Sequence, residues 1–170
     1  ALLDATARLS GTPGCLVTHG GSGLLAASLG AAAGALDATP MFALSTTQER
    51  RAMEQGWWQT TDVLQPLAAV AKWQMRVERP DQAVGAIRRG LRETVSGRPG
   101  LAQVDLPIDV SISDLADDPA IRSDLHRAPM FRPWPDPGAV DRTVELLRNA
   151  ARPVLLAVSY THLRAHETNV

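Results

Sequence analysis

The sequence predicts an α/β domain: a mostly parallel sheet with helices on both faces, truncated at both ends of the chain. Three observations carry that expectation. Cys15-Leu16-Val17-Thr18 is a short apolar run suited to a buried parallel strand. The glycines and the Ala/Leu-rich stretch behind it lead to a second such run, Met41-Phe42-Ala43-Leu44, which gives the βαβ order. An amphipathic helix over 80–96 then precedes a third apolar run, Leu101-Ala102-Gln103-Val104-Asp105-Leu106.

Each element follows from its residues. Residues 1–9 have helical composition without a preceding cap, as the second half of a helix would. Gly11-Thr12-Pro13-Gly14 is a turn leading into the strand at 15–18, and His19-Gly20-Gly21-Ser22-Gly23 breaks that strand before a helix over 24–36. Asp37-Ala38-Thr39-Pro40 ends the helix and 41–44 is the next strand. Residues 46–61 are polar with Trp57 and Trp58 embedded, an irregular stretch containing a short helix. Residues 62–70 read as a helical piece limited by Pro66. Lys72 to Val77 alternate polar and apolar, as a strand exposed on one face does. Pro80 and Asp81 start the next helix, with Ala83, Val84, Ile87 and Leu91 on one face and Arg88, Arg89 and Arg92 towards its C-terminus. Gly97-Arg98-Pro99-Gly100 stops it. Past the strand at 101–106, Pro119, Pro129, Pro133, Pro135 and Pro137 mark a linker with no regular element. A further amphipathic helix over 138–150 and a strand over 153–157 would open a second domain.

Composition limits the function classes. At 170 residues the chain holds one domain and the start of another, and 17 basic against 18 acidic residues give no footprint for nucleic acid or an anionic membrane. The longest apolar stretch, 24–36, is shorter than the ~20 residues of a membrane span. Cys15 is the only cysteine, which excludes an internal disulfide and fits a reducing, cytoplasmic setting. Lys72 is the only lysine. Residues 158–170 are polar and patternless and resemble a translated sequencing adapter, an artefactual tail. His162 and His166 within it lie four apart, as on one face of a helix, but with no third ligand nearby no metal site is expected.

Four segments, residues 7–14, 16–23, 37–40 and 96–110, resemble in order the pyrimidine-binding domain of thiamine-diphosphate enzymes of the acetohydroxyacid synthase, pyruvate oxidase and benzoylformate decarboxylase group. The last, Ser96-Gly97-Arg98-Pro99-Gly100 through Val104-Asp105-Leu106-Pro107-Ile108-Asp109-Val110, is the most specific. The resemblance implies a pyrimidine domain over 1–110 lacking its first elements, a linker over 111–137 and the start of a central domain over 138–157. It implies thiamine diphosphate as cofactor, with Mg2+ held by a C-terminal domain, and a homodimer or homotetramer formed through this domain. The substrate would be a small 2-oxo acid, undergoing decarboxylation or carboligation, with no nucleic acid or membrane partner. The family's Glu, which hydrogen-bonds a pyrimidine nitrogen, is expected upstream of Ala1, so the chain by itself is expected to be inactive.

The resemblance also suggests site residues. His19, directly after the strand, resembles the catalytic His of benzoylformate decarboxylase, and an imidazole there could relay protons to the substrate. The plainer alternative is a His that caps the strand end or bonds a neighbouring loop. Gly20, Gly21 and Gly23 permit close approach of the cofactor to a helix N-terminus. Gln59 lies where the family often has a polar residue facing the active site, shortly before Asp62; otherwise it is a solvated loop glutamine. Trp57 and Trp58 would form a pocket wall or an interface, and Cys15 would be core. Synthases carry Gly-Pro-Gly where this chain has Gly21-Ser22-Gly23, and Asn where it has Ala26, which points away from a standard synthase. A lipase-like hydrolase would share His19-Gly20-Gly21 but needs a downstream Gly-x-Ser-x-Gly, which does not occur. A non-catalytic binding module of the same fold is the remaining alternative.

Overall fold

Gly14–His19 (β1), Met41–Thr46 (β2), Ala71–Arg76 (β3) and Leu101–Asp105 (β4) form one sheet in the computed structural model, in the spatial order β1-β2-β4-β3 and parallel at every pairing. The structure describes residues 2–114 and 134–155, and the chain divides into two units, 1–130 and 131–170. In the first unit the helices are Leu2–Ser10 (α1), Gly20–Leu36 (α2), Arg50–Glu54 (α3), Ala83–Val95 (α4) and Ile108–Ser111 (α5).

Strand order explains why helices cover both faces. The chain steps from β1 to β2 through α2, passes over the position of β4 to reach β3, and then steps back to β4 through α4. Right-handed crossovers running in opposite directions along a sheet place their helices on opposite faces. Met41, Ala43 and Leu101 accordingly pack with Leu24, Ala31 and Ala35 of α2 and with Val63 and Leu67, while Phe42, Ala102 and Val104 pack with Ala83 and Ala86 of α4. The segment between β2 and β3 crosses β4 on the α2 face, and this brings the loop around Gln59 to the carboxyl end of β1.

Close approach requires small residues at two of these crossings. A Cβ on Gly90 of α4 would stand 2.5 Å from Phe42 Cε2, and one on Gly34 of α2 would stand 2.8 Å from the Met41 thioether. Gly11, with φ +67°, ends α1 in a left-handed cap, its N–H donating to the Ala7 carbonyl at 3.0 Å.

Several expectations need correction. The glycines after His19 do not form a separate break: α2 starts at Gly20, so they make up its first turn. The helical piece expected over 62–70 is only a 3₁₀ turn, Gln65–Leu67, because Pro66 at its start leaves no room for a longer ladder. The stretch after β4 is not wholly irregular, since α5 forms with Pro107 at its N-cap position. Cys15 is exposed rather than core. β1 is an edge strand, and the face carrying Cys15 and Val17, the latter 70% exposed, has no helix over it among the described residues. Residues 153–155 of the expected strand over 153–157 form no strand; its last two residues lie outside the described residues, as do most of the Pro-rich linker and the tail with His162 and His166.

Two basic residues close helix C-termini. Lys72, the only lysine, donates from Nζ to the carbonyls of Glu93 at 2.8 Å and Arg98 at 3.0 Å, and also to that of Ser96, where α4 ends. Arg98, in the glycine-flanked stop after α4, donates from Nη2 to the last carbonyl of α2, Leu36, at 2.8 Å. A cation at a helix C-terminus satisfies orphan carbonyls and opposes the negative end of the dipole. Lys72→Met should therefore lower unfolding free energy by about 1 kcal/mol in urea denaturation, with the loss concentrated at the α4 end.

In the second unit, Pro137–Asn149 (α6) begins where Asp136 accepts a hydrogen bond from the Ala139 amide at 2.7 Å, an N-cap ahead of Pro at the first helical position. Among the described residues no helix is long and apolar enough to cross a membrane.

Candidate functional site

Parallel α/β sheets present ligand sites at the carboxyl ends of their strands. There, β1 ends at His19, which is exposed, and its Nδ1 lies 3.1 Å from Thr46 Oγ1 at the matching register position of β2. Thr46 Oγ1 in turn donates to the Thr18 carbonyl at 3.4 Å. The chain then reverses into α2 through Gly20 at φ +64°, a left-handed conformation that costs a side-chain-bearing residue roughly 1–2 kcal/mol. No side chain caps the N-terminus of α2, so its first amides face the strand ends with their donors free.

Gln59 lies against this turn. Its Nε2 donates to Ser22 Oγ at 3.1 Å, and a Cβ on Gly20 would collide with its side-chain carbonyl. A Cβ on Gly21 would stand 2.7 Å from Thr61 Cβ. Gly20 and Gly21 are thus required by the chain's own loop, whereas a Cβ on Gly23 would meet only Thr18 Cβ at an ordinary 3.5 Å. Gln59 itself has φ +61°, backbone strain of the kind that persists where its surroundings over-determine it. Two polar atoms around the turn are buried without a hydrogen-bond partner, Gln59 Oε1 and Thr18 Oγ1. Leaving a buried acceptor unpaired costs about 1–3 kcal/mol, so an orphan at the end of a parallel sheet points to a ligand donor.

A buried polar layer holds the segment behind Gln59. Gln103 Nε2 donates to the Val63 carbonyl at 2.9 Å and to Ser45 Oγ at 3.0 Å; Gln74 Nε2 donates to the Leu64 carbonyl at 2.7 Å and to Gln103 Oε1 at 2.8 Å. Arg76 pairs through Nε with Asp105 at 2.7 Å and through Nη2 with Asp62 at 2.7 Å. Asp105 is fully buried and also accepts from Thr47 at 3.2 Å and Ser45 at 3.4 Å.

Burial pushes the Asp105 carboxyl above its ordinary value of 3.8, with the Arg76 guanidinium opposing. Just above that value the folded chain keeps a proton that the unfolded chain has released, so stability falls as pH rises until Asp105 ionises in the folded state too. Asp105→Asn removes this slope. Denaturation curves of the two proteins above pH 4 should therefore converge with rising pH if the variant is the less stable, or diverge if it is the more stable.

The structure brings together Gln59, Gly20, Gly21 and Ser22, and it pairs His19 with Thr46 rather than with that group. Trp57 and Trp58, just before Gln59, are 62% and 76% exposed. Thr18, Thr61, Arg76 and Asp105 went unnoticed as site residues in the sequence. The alternation of Gln74 and Arg76 in β3, matched by Gln103 and Asp105 in β4, was the available signal for a polar layer. Among the described residues no cluster of three or more His, Cys, Asp or Glu is placed to hold a metal ion.

Residues 3–66 match the family described as thiamine pyrophosphate enzyme, N-terminal TPP binding domain. The chain is 28% identical over 155 residues to oxalyl-CoA decarboxylase of Escherichia coli K12, covering 89% of this chain and 28% of that protein. It is 28% identical over 145 residues to glyoxylate carboligase of Escherichia coli O157:H7, covering 84% and 23%. With the catabolic acetolactate synthase of Raoultella terrigena it shares 29% over 154 residues, covering 89% and 26%. The chain spans about a quarter of the length of these relatives.

Proposed function

We propose, since residues 3–66 match the N-terminal TPP binding domain of thiamine pyrophosphate enzymes, that this chain is the pyrimidine-holding part of an enzyme that decarboxylates or carboligates 2-oxo acids. The observation that carries this is the orphan Gln59 Oε1 beside the uncapped N-terminus of α2. An aminopyrimidine offers an amine donor that this acceptor lacks, and the Thr18 hydroxyl and the free amides of α2 add donors for ring nitrogens. The residues present therefore fit the group. Gln59, Gly20 and Gly21 would hold it, and Gly23 would line the same turn.

When bound, thiamine diphosphate supplies the nucleophilic carbon and the electron sink needed to break the bond next to a substrate carbonyl. Mg2+ would be held, with the diphosphate, by residues outside this chain. His19 moves the proton. Its Nδ1 faces the Thr46 hydroxyl, which leaves Nε2 directed away from that contact and able to give or take a proton at the substrate oxygen. Thr46 fixes the ring plane, as orienting partners of a catalytic imidazole do. A His in this place favours a benzoylformate decarboxylase-like enzyme over a synthase.

Self-association through this domain belongs to the same proposal. α2 is apolar on nearly every face, and its outward Leu25, Leu29 and Leu36 are 48%, 83% and 68% exposed; a helix apolar all round is normally covered on every side.

The test is CO2 release from benzoylformate, pyruvate and glyoxylate by the complete enzyme with Mg2+, with and without thiamine diphosphate. Cofactor-dependent release from at least one supports the proposal. No release and no carboligation product from any of them removes it. Relatives named as acetolactate synthases favour a second reading, a transferase, which predicts coupled C–C products in place of free aldehyde.

A further inference from the structure

Arg76 stands between two carboxylates of unequal burial. Asp105 behind it is fully buried on β4, whereas the Asp62 side chain in front is 46% exposed on the loop that leads back to Gln59. Asp62 does more than pair with Arg76. The same Oδ1 that receives Nη2 at 2.7 Å accepts the Leu64 amide at 3.2 Å, closing a turn at the start of the 62–64 segment. Gln103 and Gln74 hold the next two carbonyls of that segment, so Arg76–Asp62 is the link nearest to Gln59 in a row of side-chain contacts rising from β3 and β4.

Burying a carboxylate on a sheet strand costs several kcal/mol unless it is well paired. A fold needing only an apolar β4 would place a valine at 105, as it does at 104. What the Asp105 carboxylate adds is a fixed direction for a guanidinium: Nε is engaged, and the fork then presents Nη2 towards the loop. At the far end of the loop, Gln59 is in a left-handed conformation with its amide against Gly20 and Ser22. A strained residue persists where its surroundings over-determine it, and the charge-assisted Arg76–Asp62 clamp lies three residues from Gln59.

We propose that Arg76, fixed by Asp105 and acting through Asp62, is a positioning residue that holds Gln59 in its left-handed conformation against the N-terminus of α2. Its importance for the cofactor rests on the function proposed above; the positioning itself does not. Arg76 touches neither Gln59 nor the substrate, and its effect passes through the backbone of residues 60–62.

The test uses the full chain and amide hydrogen exchange, with thiamine diphosphate titrations alongside. Arg76→Gln strips the buried Asp105 of its counter-charge and destabilises the whole fold, so Asp62→Asn is the informative variant, because it opens the clamp on its exposed side only. Exchange at residues 59–64 should rise about tenfold while β2 and β4 keep their protection. Asp62→Glu, which keeps the charge, should restore part of the protection. Unchanged exchange at 59–64, or an equal rise across β2 and β4, overturns the proposal. Where the wild type binds thiamine diphosphate, Asp62→Asn should weaken binding about tenfold or more; raised exchange at 59–64 with unaltered affinity removes Gln59 from the cofactor site and leaves the positioning role standing. A wild type that does not bind thiamine diphosphate in the complete enzyme sinks the proposed function alone, and exchange still decides the positioning role.

Discussion

Gly20→Val should abolish measurable thiamine diphosphate binding by the complete enzyme and lower the unfolding free energy by about 2–4 kcal/mol. Two costs coincide at this residue. Its φ of +64° is a conformation that a β-branched side chain resists, and the new Cβ would occupy the position of the Gln59 side-chain carbonyl. Relief can come only by moving Gln59, which breaks its bond to Ser22 and turns the orphan acceptor away from the α2 N-terminus. Gly85→Ala is the control. It adds a methyl group to α4 with nothing within 4 Å of the new Cβ, so it should keep binding and stabilise the helix by roughly 0.5–1 kcal/mol. Urea denaturation and calorimetric titration of both variants measure the two effects. Wild-type affinity in Gly20→Val would show that the Gln59 turn is not where the cofactor sits.

His19→Ala should lower turnover of the complete enzyme about 10²–10⁴-fold, the span of a general acid–base group, with little change in stability. Little stability is at stake because His19 is exposed and its described contact is a single hydrogen bond to Thr46. Thr46→Val should give a smaller loss, since it frees the imidazole to rotate without removing it. Initial rates measured as a function of pH separate the roles: a proton relay leaves a pH dependence of the rate that His19→Ala removes. A near-normal rate in His19→Ala would leave the imidazole as a strand-end hydrogen-bonding group.

The sheet was largely legible because parallel strands are short apolar runs and the helices between them keep their period. Residues 101–105 are buried at every position, and the run at 101–106 announces that directly. The face of each helix and the strand order were less accessible, because they follow from crossover handedness and from the chain passing over β4, which no local pattern encodes. Cys15 misled for a related reason: its apolar neighbours suit a central strand, but β1 lies at the edge. At the candidate site, Gly20, Gly21 and Gln59 were suggested by the resemblance, while their physical relation, glycines making room for a strained glutamine, needed the loop in place. Arg76 and Asp105 looked like ordinary charges in a strand and at a strand end. Only their register, side by side across β3 and β4, turns them into an ion pair beneath the loop.

The most direct measurement is a crystal structure of the complete enzyme with thiamine diphosphate bound. The account predicts the pyrimidine amine within hydrogen-bond distance of Gln59 Oε1, about 2.7–3.2 Å, with the ring over the first turn of α2. A pyrimidine ring bound elsewhere, with Gln59 Oε1 still unpartnered, would contradict it.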